Sequence, residues 1–367
     1  MEKKLNILQV TDYLAPYEGN FICSIKNLES HVIDKGGNMF FLFPKEAYKI
    51  KWIKEMEDKR DKKVFYLEDS VLKNIKKINK LIKENNINIV HSHFCLPMTQ
   101  LAVKISCVTN SNVYLVQHYH NHYQYQISEN KLKRPICKYI FSGDLNIGCS
   151  ESVSKSIIYN PKKVTTVTNA IYFPRLNNYT TITREELGIK KESIVILMFG
   201  FDYLRKGVDI AIKAINNIAK KYNITLLISI SVGIDEISKK IKNEFGEIPS
   251  WLKLMQARND IGAYYNISDI FLSAAREEGF CYAMVEAIYC NLICISSEID
   301  GPPLNIPGIQ TFKNCDWDDL SKKIEKVILL NKEEKQEIKK IAKDYVEKEY
   351  DIDSWSLKII DEYKKLI

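Results

Sequence analysis

Two segments of this chain bring together residue types that bind charged, hydroxyl-rich ligands. In Ser273–Ala287 an apolar run ends, Glu277, Glu278 and Gly279 follow, and a helical pattern begins. Backbone N–H groups at a helix N-terminus suit a phosphate. A carboxylate offers two acceptor oxygens, so Glu278 at the turn and Glu286 inside the helix suit the hydroxyls of a nucleotide sugar. A plainer reading makes Glu278 a turn acid favoured by the helix dipole and Glu286 an exposed helix residue. In Gly200–Gly207, Arg205 supplies a planar donor fork and Lys206 a compact charge, a combination that fits a pyrophosphate. Gly207 relieves crowding where the next helix starts, and a solvated Arg-Lys pair beside a turn is the plainer alternative.

Histidines and cysteines raise the question of a metal. His118, His120 and His122 alternate, so on a strand they share a face, and with His91 and His93 they make a candidate ligand cluster. No acid lies near them in sequence, and the expectation is that no metal is bound. Cys281, Cys290 and Cys294 cluster without a neighbouring His, and none of the nine cysteines forms a C-x-x-C pair, which argues against zinc and for free thiols in a reducing compartment.

These residues need elements to position them. Leu5–Val10, Met39–Phe43, Val64–Leu67, Ile87–His91, Val113–Tyr119, Leu145–Ser150 and Val164–Val167 read as short strands, with helical patterns at Phe21–Lys35 and Val71–Asn85. Lys45–Lys63 reads only as a mixed-charge stretch. Asn169–Arg184, with Pro174, Asn177 and Asn178, reads as a linker. A second set follows, with strands Ile194–Phe199, Thr225–Ser231, Leu252–Met255, Ile270–Ser273 and Leu292–Ser296 and helices Val208–Tyr222, Asp235–Phe245 and Tyr282–Tyr289. The chain is helical from Trp317 on, with a break at Tyr350–Ile352. Alternating strands and helices imply parallel sheets. The fold class is therefore α/β: two Rossmann-like, doubly wound domains facing a cleft, residues 1–172 with a terminal helix at 351–367, and residues 173–350. Ligands in such sheets bind beyond the carboxyl ends of the strands.

Composition sets outer bounds. A chain of 367 residues, 46% hydrophobic and 27% charged, is too apolar for a disordered tail and long enough for two domains. The net charge of +7 falls short of the strongly basic balance of a nucleic-acid-binding domain. The N-terminal apolar run is short and interrupted, unlike a signal peptide, and no stretch of about 18 apolar residues exists to span a membrane. The expected location is the cytoplasm.

Taken together, the motifs resemble the family-4 glycosyltransferases, retaining enzymes of the GT-B fold. Glu278 and Glu286 meet the family's E-x7-E pattern, with Gly279 and Phe280 in the usual places, and Arg205-Lys206-Gly207 follows the second domain's first strand as is typical. Val90–His93, Val113–His118, Val167–Ile171 and Ile267–Leu272 resemble further family segments, so the likeness spans most of the chain. It departs at Phe201, where many relatives carry Arg, and at Asn291 and Ile293, where Gly and Pro are usual. The first loop offers one glycine, Gly19, where relatives often have a pair.

The resemblance implies roles. Arg205 and Lys206 neutralise the diphosphate, Glu286 holds the ribose, Glu278 contacts the transferred sugar together with Gly279 and Phe280, His118 meets that sugar from the first domain, and Gly19 lines the cleft beside it. It implies a nucleotide-sugar donor, UDP-sugar before GDP-sugar, and a glycan or lipid-linked acceptor in cell-surface polysaccharide synthesis. No cofactor is implied. Asp316-x-Asp318 is similar to the metal-holding Asp-x-Asp of the other major glycosyltransferase fold, but it opens a helical segment and reads as a cap. The terminal helix is expected to cross back to the first domain, with Trp355, Ile359 and Tyr363 as its packing stripe. Lys45–Lys63 and Lys73–Lys83, with Trp52, Ile53 and Met56 among them, could bind the inner face of a membrane or form a solvated face. The rival functions are a nucleotide-sugar epimerase on the same fold and a non-catalytic nucleotide-binding partner.

Overall fold

The computed structural model describes residues 4–60, 62–122, 134–157 and 163–367. The chain divides into two compact units, one running to Ala170 and regaining Ile352–Ile367, the other Ile171–Asp351.

The first unit holds seven parallel strands: β1 (Asn6–Thr11), β2 (Asn38–Phe43), β3 (Val64–Tyr66), β4 (Ile89–His93), β5 (Tyr114–Tyr119), β6 (Leu145–Gly148) and β7 (Val164–Thr166). Their order is β3-β2-β1-β4-β5-β6-β7. The second holds six, β8 (Ile194–Phe199), β9 (Ile224–Ile230), β10 (Leu252–Gln256), β11 (Ile270–Ser273), β12 (Ile293–Ser297) and β13 (Gln310–Phe312), in the order β10-β9-β8-β11-β12-β13. Helices cover the faces of such a sheet, so its strands are apolar throughout rather than alternating. All seven residues of β9 are buried, for example. Strand order reverses between β1 and β4 and again between β8 and β11, and a doubly wound sheet opens a ligand crevice at such a reversal.

Three differences from the sequence expectations have local causes. Lys51–Lys59 is a helix whose Trp52, Ile53 and Met56 are buried in the first unit's core, a short apolar stripe hidden by the lysines around it. Those three residues are therefore not presented to a membrane, and only the charged face of this stretch is exposed. The strand β13 has three residues and one apolar side chain facing inward, too little pattern to see. Within the segment read as a linker, Ile171 bridges to Asp351 and Pro174–Asn177 form a short helix.

The terminal helix Ile352–Lys364 packs in the first unit's core through Trp355, Ile359, Ile360 and Tyr363. Polar contacts fix it against the helix Gly19–Asp34: Asp353 accepts from Asn27 at 2.9 Å and lies 2.8 Å from His31 Nε2, and Ser356 donates to Asn27 at 2.6 Å.

Candidate functional site

The loop after β8 and the loop after β11 meet at the second unit's strand-order reversal. Gly207 caps the helix Val208–Ile218 with φ +67°, and a Cβ there would lie 1.9 Å from the Ala274 carbonyl oxygen. Only glycine fits both the left-handed backbone and the close approach. The Arg276 amide donates to the Arg205 carbonyl at 2.8 Å, and the Arg276 guanidinium grips Asp209 through two bonds of 2.8 and 2.6 Å. This stitching places Lys206 Nζ on Glu278 Oε2, an ion pair whose side chains are 14% and 12% exposed. Arg205 remains one-third exposed, its Nε 3.4 Å from Asp202. Phe201, the departure from the expected Arg, leaves Arg205 and Lys206 as the cations of this loop. Its ring lies under both remaining ones, 5.1 Å from the Arg205 guanidinium and 5.1 Å from Lys206 Nζ. A ring face attracts cations, so Phe201 holds the pair at the sheet edge.

Glu278 and Gly279 are buttressed from the next loop. Gly301 has φ +113°, and a Cβ there would lie 1.9 Å from the Glu278 carbonyl oxygen. Phe280 is buried and packs edge-on against Tyr282 at 5.2 Å, with Tyr350 5.8 Å away. The helix Tyr282–Tyr289 then begins at Cys281, its positive end beside these residues. Burial pushes the Cys281 thiol up to about 11 and the Cys290 thiol up to about 12, so neither is a ready thiolate for a metal.

Glu286 is not the exposed helix residue of the plainer reading. It is 5% exposed, with Arg175 Nη1 2.5 Å from Oε1 and Tyr265 OH donating to Oε2 at 2.9 Å. The three side chains come from separate helices, Pro174–Asn177, Gly262–Asn266 and Tyr282–Tyr289. Neither Arg175 nor Tyr265 was found by sequence reasoning. Arg175 lies in the supposed linker, and nothing in the pattern around Tyr265 marks it as more than a core aromatic.

The departures at Asn291 and Ile293 have structural accounts. Asn291 follows the helix with φ +63°, its amide bonded to the Ile288 carbonyl and the Leu292 amide to the Ala287 carbonyl. Asparagine tolerates this left-handed cap better than any residue but glycine. Ile293 opens β12 in register with Ile270. Asp316 caps the helix Trp317–Leu329, accepting from the Asp318 and Asp319 amides. A cavity of about 260 Å³, lined by Arg184, Asp269, Lys335 and Lys339 among others, lies at the amino ends of β8, β11 and β12, the opposite edge of the sheet from Lys206 and Glu278.

In the first unit, Gly19 starts the helix after β1 with φ +59°. His118 is the residue from which a sugar contact was expected. It lies inside β5, paired with His93 and Ile147, fully buried, and stacked by His91, His120 and Trp355. His120, just beyond β5 and 9% exposed, is the histidine at the strand's carboxyl edge.

Two doubly wound units, with cations and carboxylates at one strand-order reversal, define an α/β enzyme of the GT-B type. Solved structures share this fold at low identity. A glycosyltransferase from Rickettsia africae superposes with a TM-score of 0.80 at 19% identity, over 99% of each chain. Anabaena Alr3699/HepE, solved with UDP, does so with 0.77 at 14%, over 98% of this chain and 100% of that one. Residues 180–345 match the family "Glycosyl transferases group 1". A UDP-Gal:alpha-D-GlcNAc-diphosphoundecaprenol alpha-1,3-galactosyltransferase of Escherichia coli is 24% identical over 298 residues, 71% of this chain and 74% of its own. The lipopolysaccharide glucosyltransferase WaaG of Escherichia coli K12 is 27% identical over 132 residues, 35% of each. Residues 180–345 are thus similar to the group 1 glycosyltransferases, and the chain at large to bacterial glycosyltransferases.

Proposed function

We propose that this glycosyltransferase takes a sugar from a nucleotide donor, a UDP-sugar before a GDP-sugar, and transfers it with retained configuration to a hydroxyl of a glycan or lipid-linked acceptor in bacterial surface-polysaccharide synthesis. The observation that carries the reading is the meeting of Arg205, Lys206 and Glu278 beyond β8 and β11. The Escherichia coli galactosyltransferase named for UDP-Gal and a diphosphoundecaprenol acceptor supports the donor and acceptor classes.

In this reading Arg205 and Lys206 face the diphosphate and Glu286 the ribose. The bond from the sugar's anomeric carbon to the phosphate oxygen breaks while negative charge builds on the departing phosphate, and cations already in place stabilise that charge most in the transition state. The acceptor hydroxyl attacks from the same face. Its proton passes to an oxygen of the departing diphosphate, so no carboxylate nucleophile is needed. Glu278 leaves Lys206 and turns to the sugar hydroxyls. The reaction needs no metal, since the cations do its electrostatic work. The lysines exposed along 45–59 and 73–83 would add charge attraction at an anionic membrane surface.

A donor panel scored by nucleotide release, with and without lipid extract from the source organism, tests this. UDP release that needs the extract, with an anomeric proton in the product unchanged in configuration by NMR, is the expected result. Release from no donor supports the non-catalytic rival, altered sugar without acceptor supports the epimerase, and an inverted product overturns retention.

A further inference from the structure

The first unit's core contains a cluster of histidines. His91 and His93 lie on one face of β4, and His118 and His120 extend the same face of the neighbouring β5, with His93 directly opposite His118. Ring centroids are 4.0 Å apart for His91 and His93, 5.4 Å for His91 and His118, and 5.1 Å for His93 and His118. The three rings are at most 1% exposed.

A buried imidazole has one N–H to donate and one lone pair to fill, and leaving either unmet is costly. Here both nitrogens of His118 and Nε2 of His91 are buried with no partner. Burial holds the rings neutral by pushing their pKa values down, for His118 to about 3. Neutral imidazole is the ligating form. One nitrogen from each of His91, His93 and His118 lies within 4.8 Å of the other two. Metal–imidazole bonds are about 2.0–2.1 Å, so closing the three onto one ion needs ring movements of under about 1 Å.

The surroundings already supply the outer hydrogen bonds of such a site. Tyr363 OH lies 2.5 Å from His91 Nδ1, and with Nδ1–H as the donor to that hydroxyl the lone pair falls on Nε2, the ligating atom. Gln9 Oε1 lies 2.9 Å from His93 Nε2, which leaves Nδ1 with the lone pair. His120 Nε2, now 3.0 Å from His93 Nδ1, would give up that contact. Metal-bound histidines are usually oriented in this way by a second partner.

We propose that His91, His93 and His118 form a three-imidazole site for a divalent first-row transition ion such as Zn²⁺ or Co²⁺, a structural site in the core of the first unit. Imidazole suits these ions, whereas Mg²⁺ and Ca²⁺ demand oxygen ligands that the three histidines do not offer. The site is separate from the donor residues of the second unit and independent of their assignment.

Titration of chelator-stripped full-length protein with Co²⁺ tests it. Wild type is expected to bind one ion per chain with visible d–d absorption, reversed by Zn²⁺. His118→Gln and His93→Gln are expected to lose at least about tenfold in affinity, while His31→Gln, remote from the cluster, keeps it. Wild type that binds neither ion overturns the proposal without recourse to any variant. So does binding unchanged in a folded His118→Gln, which would mark an adventitious surface site. X-ray absorption of the Zn²⁺-loaded wild type gives a reading that no variant's folding can confuse: three imidazoles support the site, and a shell of sulfur or of oxygen alone refutes it.

Discussion

Lys206 donates to Glu278 across the point where the second unit's strand order reverses, tying the loop after β8 to the loop after β11. Both side chains are more than four-fifths shielded from water. A charge left alone there would be costly, so each serves as the other's partner.

The pair predicts opposite behaviour for its two members. Lys206→Ala removes a charge-assisted bond of about 1.5–3 kcal/mol to the diphosphate, so UDP affinity should fall roughly 10- to 100-fold by calorimetry. Glu278→Gln removes the carboxylate that competes with phosphate for Lys206. UDP affinity should stay level or rise while sugar transfer falls. Equal loss of UDP binding in both variants would contradict the exchange.

Glu286 is held by Arg175 and Tyr265. Glu286→Ala removes the carboxylate from a largely buried ion pair, a class of change that costs about 3–5 kcal/mol, so lost binding in that variant would mix with lost stability. Tyr265→Phe is the cleaner test. It deletes one hydrogen bond to a carboxylate, about 1.5–3 kcal/mol, and should lower the melting temperature by roughly 3–10 °C for a unit of this size. UDP affinity should fall with it, since the carboxylate is no longer aimed. An unchanged melting curve would mean the bond contributes nothing.

Phe201 positions two cations by its ring face. Phe201→Leu keeps the apolar bulk and removes the attraction, about 0.5–1 kcal/mol for partly exposed pairs. UDP should bind roughly two- to fivefold more weakly, with the melting temperature little changed. If Phe201→Leu binds UDP as wild type does, the ring is only a spacer.

Gly207 cannot carry a side chain against the Ala274 carbonyl. Gly207→Ala should push the loops after β8 and β11 apart, lowering the urea midpoint by an amount equivalent to about 2 kcal/mol or more, and weakening UDP binding although Lys206 is intact. A variant with native stability and native binding would show that the loop relaxes freely.

Much of this was legible in the sequence. Strands buried on both faces are written as apolar runs, so β8 and β11 are readable residue by residue and β9 to within one residue at each end, and their alternation with helices gives parallel sheets. Arg205, Lys206 and Glu278 stand out because charges directly after such runs fall at the strands' carboxyl ends. The asparagine at 291 reads as a departure until its positive φ shows that the position needs a left-handed backbone rather than glycine itself.

Other features depend on distance through space, which the order of residues does not encode. Arg175 meets Glu286 across 111 positions of chain, and His91 meets Tyr363 across 272. Trp52, Ile53 and Met56 are core residues rather than membrane contacts because the first unit's sheet lies beneath them. His118 is chemically the same residue as His120, and only the depth of each along β5 separates a buried ring from one at the edge. Residue type and local spacing determined the sheets and the charges at the strands' carboxyl ends. Tertiary packing decided which charges pair, which histidines are sealed from water, and which apolar groups reach the core, because burial and pairing are set by whichever segments the fold brings together.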